Sequence, residues 1–498
     1  MVNIKNNVNK NERIIMEKKS IKINFIMNSI LTCSSFIFPL ITFPYISRVL
    51  LVTGNGKINF ATSVISYIMT ISMLGIPLYG IKVCATDVKN KERLSKTVQE
   101  LLIINLIMGL ISLFVLLVCV LYIPKLRIEW KLFSILSTTI FLNIIGIEWF
   151  YKAIEEYSYI AVRTIIFKII GIILMFIFIH KETDYLYYAV ITVIAGSGSF
   201  IFNFIRAKRY IIFKKFKNYN FKKHIKPIFS FFFLSVSWTI YQNLDIVMLG
   251  FIRGDEQVGY YSAAVKIKAI AVSVVSALGA VLLPRIVSYF DEKRYSEARR
   301  ILVKNSSFIL LLSLYISGYF VINSRETILL LSGEAYINAI PVMKVIMFSI
   351  IFIGFSTMVG TNILVPIGKE KITIQATLLG IVVNLMLNII FIRKYAAIGA
   401  ALATVIGEFS IVFYEFIYLK KDIWKYFDLK NCLKIIVSFV CSISVLAFLK
   451  INFSNISIFT YLFLSGLIYS IVYAIVLLVL KERIVFEVLN TIVMKLKE

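Results

Sequence analysis

The sequence predicts an all-α polytopic membrane protein, and three observations indicate this fold class. Hydrophobic residues make up 59% of the 498-residue chain, charged residues make up only 16%, and the mean hydropathy is +0.86. A soluble domain of this length could not bury so much apolar surface, whereas lipid accepts apolar helix surfaces. The apolar residues also recur in stretches of the roughly 20 residues that a helix needs to cross a bilayer.

We expect about fourteen transmembrane helices, arranged as two six-helix bundles followed by two C-terminal helices. The predicted spans lie near residues 24–47, 58–81, 98–123, 132–151, 159–180, 185–206, 228–251, 259–284, 302–322, 339–366, 373–392, 398–419, 433–450 and 458–480.

The predicted domain organisation follows from these spans and from one basic segment between them. The domains are a cytoplasmic N-terminal segment at 1–22, an N-terminal bundle at 23–207, a basic cytoplasmic linker at 208–227, a C-terminal bundle at 228–420, two further spans at 421–480 and a cytoplasmic amphipathic tail at 481–498.

Basic residues set the predicted orientation of the chain. With the N-terminus in the cytoplasm, most of the 54 Lys and Arg residues fall in or beside cytoplasmic segments, and the largest cluster lies at 206–226. Both termini are then cytoplasmic. The net charge of +27 is divided among many short loops, so we interpret it as a topology signal that also contacts anionic membrane lipids. It is a poor pattern for nucleic-acid binding.

The cysteines and histidines predict neither a metal site nor a disulfide framework. The five cysteines are scattered without a CxxC pair, and neither of the two histidines lies deep in a span. We therefore expect no cofactor, while coupling to H⁺ or Na⁺ stays open. Outer loops are short and carry no acid/base pair or nucleophile constellation, so we expect that the chain is not an enzyme.

A weak internal similarity predicts that the two bundles are parallel repeats. The first half contains YISRVLLVTGNGKINFATS and the second contains LDIVMLGFIRGDEQVGYYSAA. Each segment is interpreted as a span, a short glycine-containing outer loop, and a second span that begins with small residues. Transporters built from such repeats bind their substrate between the halves.

Several segments resemble the Wzx-type polysaccharide flippases of the MOP superfamily. The resemblance covers residues 22 to 420 approximately, and no single motif is diagnostic. The matching segments are FPLITFPYISRVL, LGIPLYGIK, IEWFYKAIEEYSYIAVRTIIFKI at 147–169, NLDIVMLG at 243–250, GYYSAAVKI at 259–267, LLPRI at 282–286, GIVVNLMLNIIFI at 380–392 and AAIGAALATVIGEF at 396–409.

This resemblance implies a function and a location. Such proteins move oligosaccharide repeat units on undecaprenyl pyrophosphate from the cytoplasmic to the outer leaflet of the bacterial cytoplasmic membrane. They are expected to work by alternating access, and the glycan enters an O-antigen, capsule or exopolysaccharide. The implied partners are the lipid-linked oligosaccharide, with a glycan polymerase and assembly proteins further along the route.

Basic residues in and beside the spans are the candidate contacts for an anionic substrate, because unpaired charges are costly in lipid. Lys168 lies near the middle of the fifth predicted span, where it either attracts pyrophosphate or forms a structural ion pair. Arg48 lies at the outer end of the first span, where it is either a substrate contact or an interfacial anchor. Arg163 and Arg285 lie at cytoplasmic ends, where Arg can bind phosphate by two hydrogen bonds or simply fix topology.

Asp245, Lys266 and Lys268 form a second candidate group. Asp245 and Lys266 lie at similar distances from an outer turn near Asp255, so we expect them to reach similar depths and to pair. The pair is either structural or a switch, in which protonation or sodium binding at Asp245 releases the lysine toward substrate. Lys266 and Lys268 are two residues apart and cannot both face one cavity.

Four further polar residues complete the predicted site. Glu148 and Glu408 lie in the cytoplasmic thirds of their spans, where either can pair with Arg163 or serve as a coupling-ion site. Asn384 and Asn388 share one helix face and either hydrogen bond between helices or contact sugar hydroxyls.

Three alternative functions stay open at this point. A multidrug exporter of the MATE type would favour acidic residues in its cavity, whereas lysines predominate here. A flippase for the lipid-linked peptidoglycan precursor would also favour a cationic cavity, so the sequence separates it poorly. A membrane polymerase or ligase is disfavoured by the short outer loops.

Overall fold

The structure is a computed structural model that describes residues 21–452 and 456–487. Every regular element in these ranges is helical. Eleven of their helical segments are long and apolar enough to cross a membrane. Two of the eleven, Ile23–Asp87 and Glu370–Tyr426, are long enough for two crossings each, and the 32-residue helix Lys222–Arg253 adds one more by its length. The predicted fold class is therefore confirmed.

The chain divides into two compact units, Met1–Val247 and Met248–Glu498. The division falls inside a helix, downstream of the basic linker at 208–227. Compactness and charge are different criteria, so the predicted domain bounds stay a prediction. Most of the predicted segment at 1–22 and of the predicted tail at 481–498 lies outside the described residues.

The first unit contains nine complete helices and most of a tenth within the described part of the chain. They are α1 (Ile21–Met73), α2 (Ile76–Asp87), α3 (Lys91–Tyr122), α4 (Pro124–Ile128), α5 (Trp130–Gly146), α6 (Glu148–Ala153), α7 (Tyr157–Phe178), α8 (Tyr185–Val193), α9 (Phe200–Ala207) and α10 (Lys222–Arg253). A π-helical turn at Ile194–Gly198 joins α8 to α9.

The second unit continues from the end of α10. Its helices are α11 (Asp255–Asp291), α12 (Tyr295–Ile322), α13 (Ser324–Ser332), α14 (Ala339–Ile346), α15 (Ser349–Ser356), α16 (Glu370–Leu419), α17 (Leu429–Asn452) and α18 (Ile458–Val479). A π-helical segment at Thr357–Leu364 follows α15, and a 3-10 segment at Lys420–Tyr426 follows α16.

α3 shows how these helices are arranged for lipid rather than for water. Its apolar side chains Leu110, Phe114 and Leu121 are 55–66% exposed, whereas Asn105 and Ser112 are completely buried. A helix at the surface of a soluble protein has the opposite pattern, with polar residues outside. Polar residues inside the bundle and apolar residues outside are what a bilayer requires.

α1 is a helical hairpin, and its turn differs from the prediction. Leu51 has φ 54° and ψ −167°, outside the helical region, and separates two helical arms. Asn24 on the first arm bonds Glu155 at 3.1 Å, while Gly80, beyond the second arm, packs on Trp149. Both ends of the hairpin therefore lie beside the segment 149–155, so the arms run antiparallel.

The short glycine-containing outer loop predicted after the first span, TGNGKIN at 53–59, is wrong, because those residues are helical. The turn occupies the single residue Leu51, and the side chain of Asn55 makes this possible. Its amide nitrogen donates to the carbonyls of Ile46 at 3.3 Å and Leu51 at 3.2 Å. Asn55 thus satisfies backbone acceptors that the break in the helix leaves open.

α16 is also a helical hairpin, with its break at Ala396 (φ 50°, ψ −127°). Gly399 packs directly on the carbonyl of Phe391, where a Cβ atom would overlap the backbone. The open backbone groups at this break have partners as well. The Arg253 guanidinium donates to the Ile392 carbonyl at 3.1 Å, and the Gln257 side chain accepts from the Ala397 amide at 3.4 Å.

α17 and α18, the two C-terminal spans, pack on α12 within the second unit. Tyr315 stacks on Tyr469 with a centroid distance of 4.8 Å, and Ile435 and Leu477 are buried beside them. These two helices therefore belong to the second unit's apolar core.

Candidate functional site

Lys168 reaches from the middle of α7 to the first arm of α1. Its ammonium donates to the Ser34 hydroxyl at 2.9 Å and to the Ser35 hydroxyl at 3.4 Å. The ammonium also lies 5.3 Å from the centroid of the Phe38 ring. Within the described ranges no carboxylate pairs with it. The positive charge is therefore balanced only by hydroxyls and a ring, and it can attract an anion.

Arg163 lies on α7, slightly more than one turn before Lys168. It pairs with Glu148, which is one of the two alternatives that the sequence predicted for this glutamate. Its Nη2 atom donates to Glu148 at 3.0 Å, and the Arg163 side chain is only 5% exposed. The same carboxylate pairs with Lys152 at 2.9 Å. The Arg163 Nε and Nη1 atoms are buried and have no partner among the residues described, so two donors stay available to a ligand or to water.

A second arginine, Arg206, contacts the same aromatic ring as Arg163. The Tyr159 ring centroid lies 4.0 Å from the Arg206 guanidinium carbon and 5.6 Å from that of Arg163. Arg206 contacts Glu156 at 3.5 Å, and the Tyr159 hydroxyl is buried without a partner in the described part of the chain. We name these residues the arginine cluster: Arg163, Arg206, Tyr159, Glu148 and Glu156. It can present several N–H and O–H donors to the oxygens of an anion.

The first unit also contains a buried polar network around Glu100 and His224, which the sequence did not reveal. His224 is completely buried, and its Nε2 lies 2.8 Å from Glu100 while its Nδ1 lies 2.8 Å from the Tyr79 hydroxyl. Lys223 pairs with Glu100 at 2.9 Å, and the Asn220 amide donates to the same carboxylate at 2.7 Å. The network fastens the end of the basic linker and the start of α10 to α2 and α3.

His224 lies before the predicted span 228–251, and its surroundings disfavour its charged form. Burial, more than the nearby Lys223 cation, lowers the pKa of His224 below its ordinary value, although the hydrogen bond to Glu100 opposes the shift. A neutral ring that donates from Nε2 and accepts at Nδ1 satisfies both Glu100 and Tyr79.

The remaining predicted residues of α1 and α11 lie nearer to the surface. Arg48 is exposed close to the break at Leu51, and its Nη1 atom donates to the Pro44 carbonyl at 2.8 Å. Arg285 is exposed and donates to the Tyr289 hydroxyl at 3.0 Å. Lys266 and Lys268 are half-buried on α11.

The predicted pairing of Asp245 with Lys266 stays a prediction. Asp245 is half-buried on α10 and belongs to the first compact unit, whereas Lys266 belongs to the second.

α16 contains the predicted polar residues of the second unit. The side-chain amide nitrogen of Asn388 donates to the side-chain oxygen Oδ1 of Asn384 at 3.0 Å, so these two side chains are hydrogen bonded along their own helix. Gly407 on the second arm packs against Asn384, and Glu408, the next residue, is 4% exposed. The hairpin thus places Asn384 against the second arm beside Glu408.

Glu415 is a buried carboxylate that the sequence reasoning missed. It lies seven residues after Glu408, near the end of α16, and is completely buried. A Glu near a predicted span end is typical of an interfacial residue, which is why the sequence did not single it out.

The architecture is shared with solved membrane transporters. A structure titled "Lipid II flippase MurJ, inward closed conformation" superposes with a TM-score of 0.72 at 19% identity, covering 91% of this chain and 98% of that one. At this identity the similarity shows the fold alone, which is that of a multi-pass α-helical membrane protein.

Sequence comparison identifies the family. The profile of the family described as "Polysaccharide biosynthesis protein" matches residues 21–290, more than half of the chain, and the chain therefore belongs to that family. The predicted resemblance to Wzx-type flippases is confirmed. A second profile, MatE, matches residues 231–390.

Two proteins with similar sequences have names that refer to polysaccharides of the cell surface. A Shigella dysenteriae protein with the provisional name O-antigen transporter is 24% identical over 401 residues, which are 80% of this chain and 98% of the relative. A Staphylococcus aureus protein named capsular polysaccharide biosynthesis protein CapF is 24% identical over 286 residues, covering 54% of this chain and 69% of the relative.

Proposed function

We propose that this chain is a flippase for lipid-linked oligosaccharides. It moves repeat units on undecaprenyl pyrophosphate from the cytoplasmic to the outer leaflet of the bacterial cytoplasmic membrane. Membership of the polysaccharide biosynthesis family and the names of the relatives support this function. The observation that carries it within the structure is Lys168, a cation in the middle of an apolar helix with no carboxylate beside it in the described residues.

Pyrophosphate explains this charge better than an organic cation does. A cationic drug would be repelled by an unbalanced ammonium, whereas a diphosphate gains a charge-assisted hydrogen bond from it. The arginine cluster supports the same substrate class, since its buried donors are suited to phosphate oxygens. In the predicted orientation this cluster lies toward the cytoplasmic end of α7, where the lipid head group must first be captured.

Alternating access coupled to H⁺ or Na⁺ is the mechanism we propose. Asp245, Glu148 and Glu408 are the proposed coupling residues, and Asn384 and Asn388 are the proposed sugar or ion contacts on the same hairpin as Glu408. Glu148 also has a structural function, because it holds the buried Arg163. We propose transport without covalent chemistry on the glycan, followed by transfer of the repeat unit to a polymerase and assembly proteins.

The test is flipping in proteoliposomes that contain undecaprenyl-pyrophosphate oligosaccharides. A glycan-modifying enzyme on one side measures movement between leaflets. We expect protein-dependent movement that falls about tenfold in Lys168→Gln, because the variant loses one charge-assisted hydrogen bond worth roughly 1.5 kcal/mol. Lys371→Gln, at an exposed position at the start of α16, is the matched control and keeps the wild-type rate.

Three results would contradict the proposal. No movement by the wild-type protein, together with efflux of a fluorescent organic cation, would indicate a multidrug exporter, the class to which the MatE match points. Movement of the peptidoglycan precursor alone would change the substrate. Equal rates in both lysine variants would contradict the assignment of Lys168 to the substrate site, which is the part of the proposal that the structure carries.

A further inference from the structure

Glu415 is a carboxylate enclosed in the second unit with no polar partner to balance it in the described part of the chain. The residue is completely buried, and neither carboxylate oxygen has a hydrogen-bond partner among these residues. The Ser356 side chain lies beside the carboxylate, although no hydrogen bond joins the two in the structure. The second arm of α16 holds the side chain against the π-helical segment Thr357–Leu364.

The space for this carboxylate exists because the facing residue is glycine. A Cβ atom built on Gly360 would lie 2.7 Å from Glu415 Oε1 and 2.9 Å from Thr373 Cγ2. The Gly360 carbonyl is already occupied, since it accepts from the Val365 amide at 3.1 Å and from the Thr373 hydroxyl at 3.3 Å. Gly360 therefore admits the carboxyl group, and the neighbouring Thr373 hydroxyl donates to the Gly360 carbonyl rather than to the carboxylate.

The π-helical segment has unsatisfied polar groups on its other side as well. Asn362 is completely buried, and both polar atoms of its amide lack partners within residues 21–452 and 456–487. It packs at Gly279 of α11, and the equally unpartnered amide of Asn305 on α12 approaches the same glycine. The polar groups on two sides of this wide helical turn are unpaired, so few side-chain hydrogen bonds hold the turn in its present position. Helical segments of this π type are common at functional sites.

The charges around Glu415 give it no counter-ion among the described residues. The electrostatic influence on it comes from a second carboxylate, Glu408, which lies two turns away on the same arm. α14, α15 and the π-helical segment contain one ionisable side chain among them, the exposed Lys344, and on the first arm of α16 Glu370 and Lys371 are exposed.

A buried carboxylate with a like charge nearby and no cation is unstable as an anion and takes up a proton. We propose that Glu415 is a proton-binding site, and that it releases its proton when the π-helical segment moves away from α16 and admits water. Glu415 lies four residues before Leu419, the end of α16, which faces the cytoplasm in the predicted orientation. A metal ion would require several oxygen ligands, and the described contacts at Glu415 do not supply them. The coupling of this proton to transport rests on the proposed flippase function; the protonation itself does not.

Infrared spectroscopy of the full-length protein in liposomes tests the protonation without any transport assay. A protonated carboxyl group has a carbonyl stretching band that an ionised carboxylate lacks. We expect this band near neutral pH in the wild-type protein and its loss in Glu415→Gln, an isostere of the neutral acid. Glu370→Gln, which removes an exposed carboxylate, is the matched control and should leave the band unchanged. A carbonyl band of undiminished intensity in E415Q would overturn the proposal.

Two additions keep the test decisive. If E415Q does not fold, Glu415→Asp retains an acid, and its band should shift in frequency; an unshifted band would overturn the proposal. In flipping proteoliposomes, E415Q should lose the stimulation that an imposed pH gradient produces, whereas E370Q should keep it. Loss of a sodium-gradient effect instead would assign the site to Na⁺. If wild-type protein flips nothing, the proposed function fails, while the infrared result still stands.

Discussion

Glu148 is the carboxylate that balances the arginine cluster, and its removal is the first prediction. Glu148→Gln leaves the Arg163 guanidinium buried without a counter-charge, and an uncompensated buried charge is costly. Because Glu148 is 27% exposed, we expect a loss of about 2 kcal/mol, less than for a fully buried pair. The measurement is thermal unfolding of the purified protein in detergent.

Lys152→Gln is the matched control for this prediction, because it removes the exposed partner of the same carboxylate. Exposed ion pairs contribute little, so this change should cost less than about 0.5 kcal/mol. Equal losses in the two variants would mean that the buried guanidinium finds another partner.

His224 predicts a pH dependence of stability in the opposite direction to that of a salt-bridged histidine. Burial lowers its pKa in the folded protein, so below about pH 6.5 the unfolded chain binds a proton that the folded protein refuses. The free energy of unfolding should therefore fall as the pH falls through this range. We expect the unfolding temperature of the wild-type protein to decrease between about pH 7.5 and about pH 5.5.

His224→Gln should remove this part of the pH dependence. His180→Gln is the control, since His180 is the other histidine in the chain and is exposed. The same acid sensitivity in His224→Gln as in the wild-type protein would show that another group titrates.

At the scale of single residues, the sequence revealed an isolated intramembrane charge such as Lys168. It did not reveal which buried polar residues are hydrogen bonded to each other. Lys168 was recognisable because a lysine inside an apolar stretch is costly wherever it points. Glu100 and His224 are 124 residues apart and lie at span ends, where polar residues are ordinary. Glu415 differs from an interfacial glutamate only in what surrounds it, which the packing of α16 against the π-helical segment determines.

The two hairpin breaks show what determines structure at the scale of the element. The sequence around Asn55 contains glycine and asparagine, which are typical of turns, and a loop at 53–59 was the natural prediction. The structure uses Asn55 instead as a side-chain cap for a break at Leu51. Local composition does not distinguish a turn residue from a residue that supports a turn four positions earlier.

Ala396→Gly tests whether the break in α16 is strained. A residue with φ 50° and ψ −127° has a backbone conformation that glycine tolerates and alanine does not. Although glycine is usually unfavourable in helices, we expect this change to raise the free energy of unfolding by up to about 1 kcal/mol. Ala403→Gly, within the second helical arm, should lower it by about 1 kcal/mol. A decrease in both variants would mean that Ala396 is not strained.

For the whole molecule, the charge distribution predicts which ends of the helices face the cytoplasm. In a cysteine-free background, Lys217→Cys in the basic linker and Lys181→Cys after α7 are both at exposed positions. A membrane-impermeant maleimide applied to intact cells should label Lys181→Cys and spare Lys217→Cys, and inside-out vesicles should reverse the result. The opposite pattern would invert the orientation and the proposed side of proton release.

The number and type of spans were predictable from the sequence because length and hydropathy constrain a membrane helix directly. α1 and α16 illustrate the limit: their apolar residues predicted two crossings each, and the structure joins those crossings through single residues. Whether Asp245 contacts Lys266 could not be determined from the sequence. Residue spacing gives the depth of each side chain along its helix, but it does not identify the partner on a neighbouring helix.

The one-residue breaks at Leu51 and Ala396 have a consequence for biogenesis. A nascent helix pair joined by a hydrated loop must transfer that loop's polar backbone through the insertion machinery. Here side chains such as Asn55 and Arg253 already satisfy the backbone carbonyls around each break, so little polar surface has to cross. The α1 pair can therefore leave the translocon as one unit, whereas the α16 pair also needs Arg253 of the earlier helix α10.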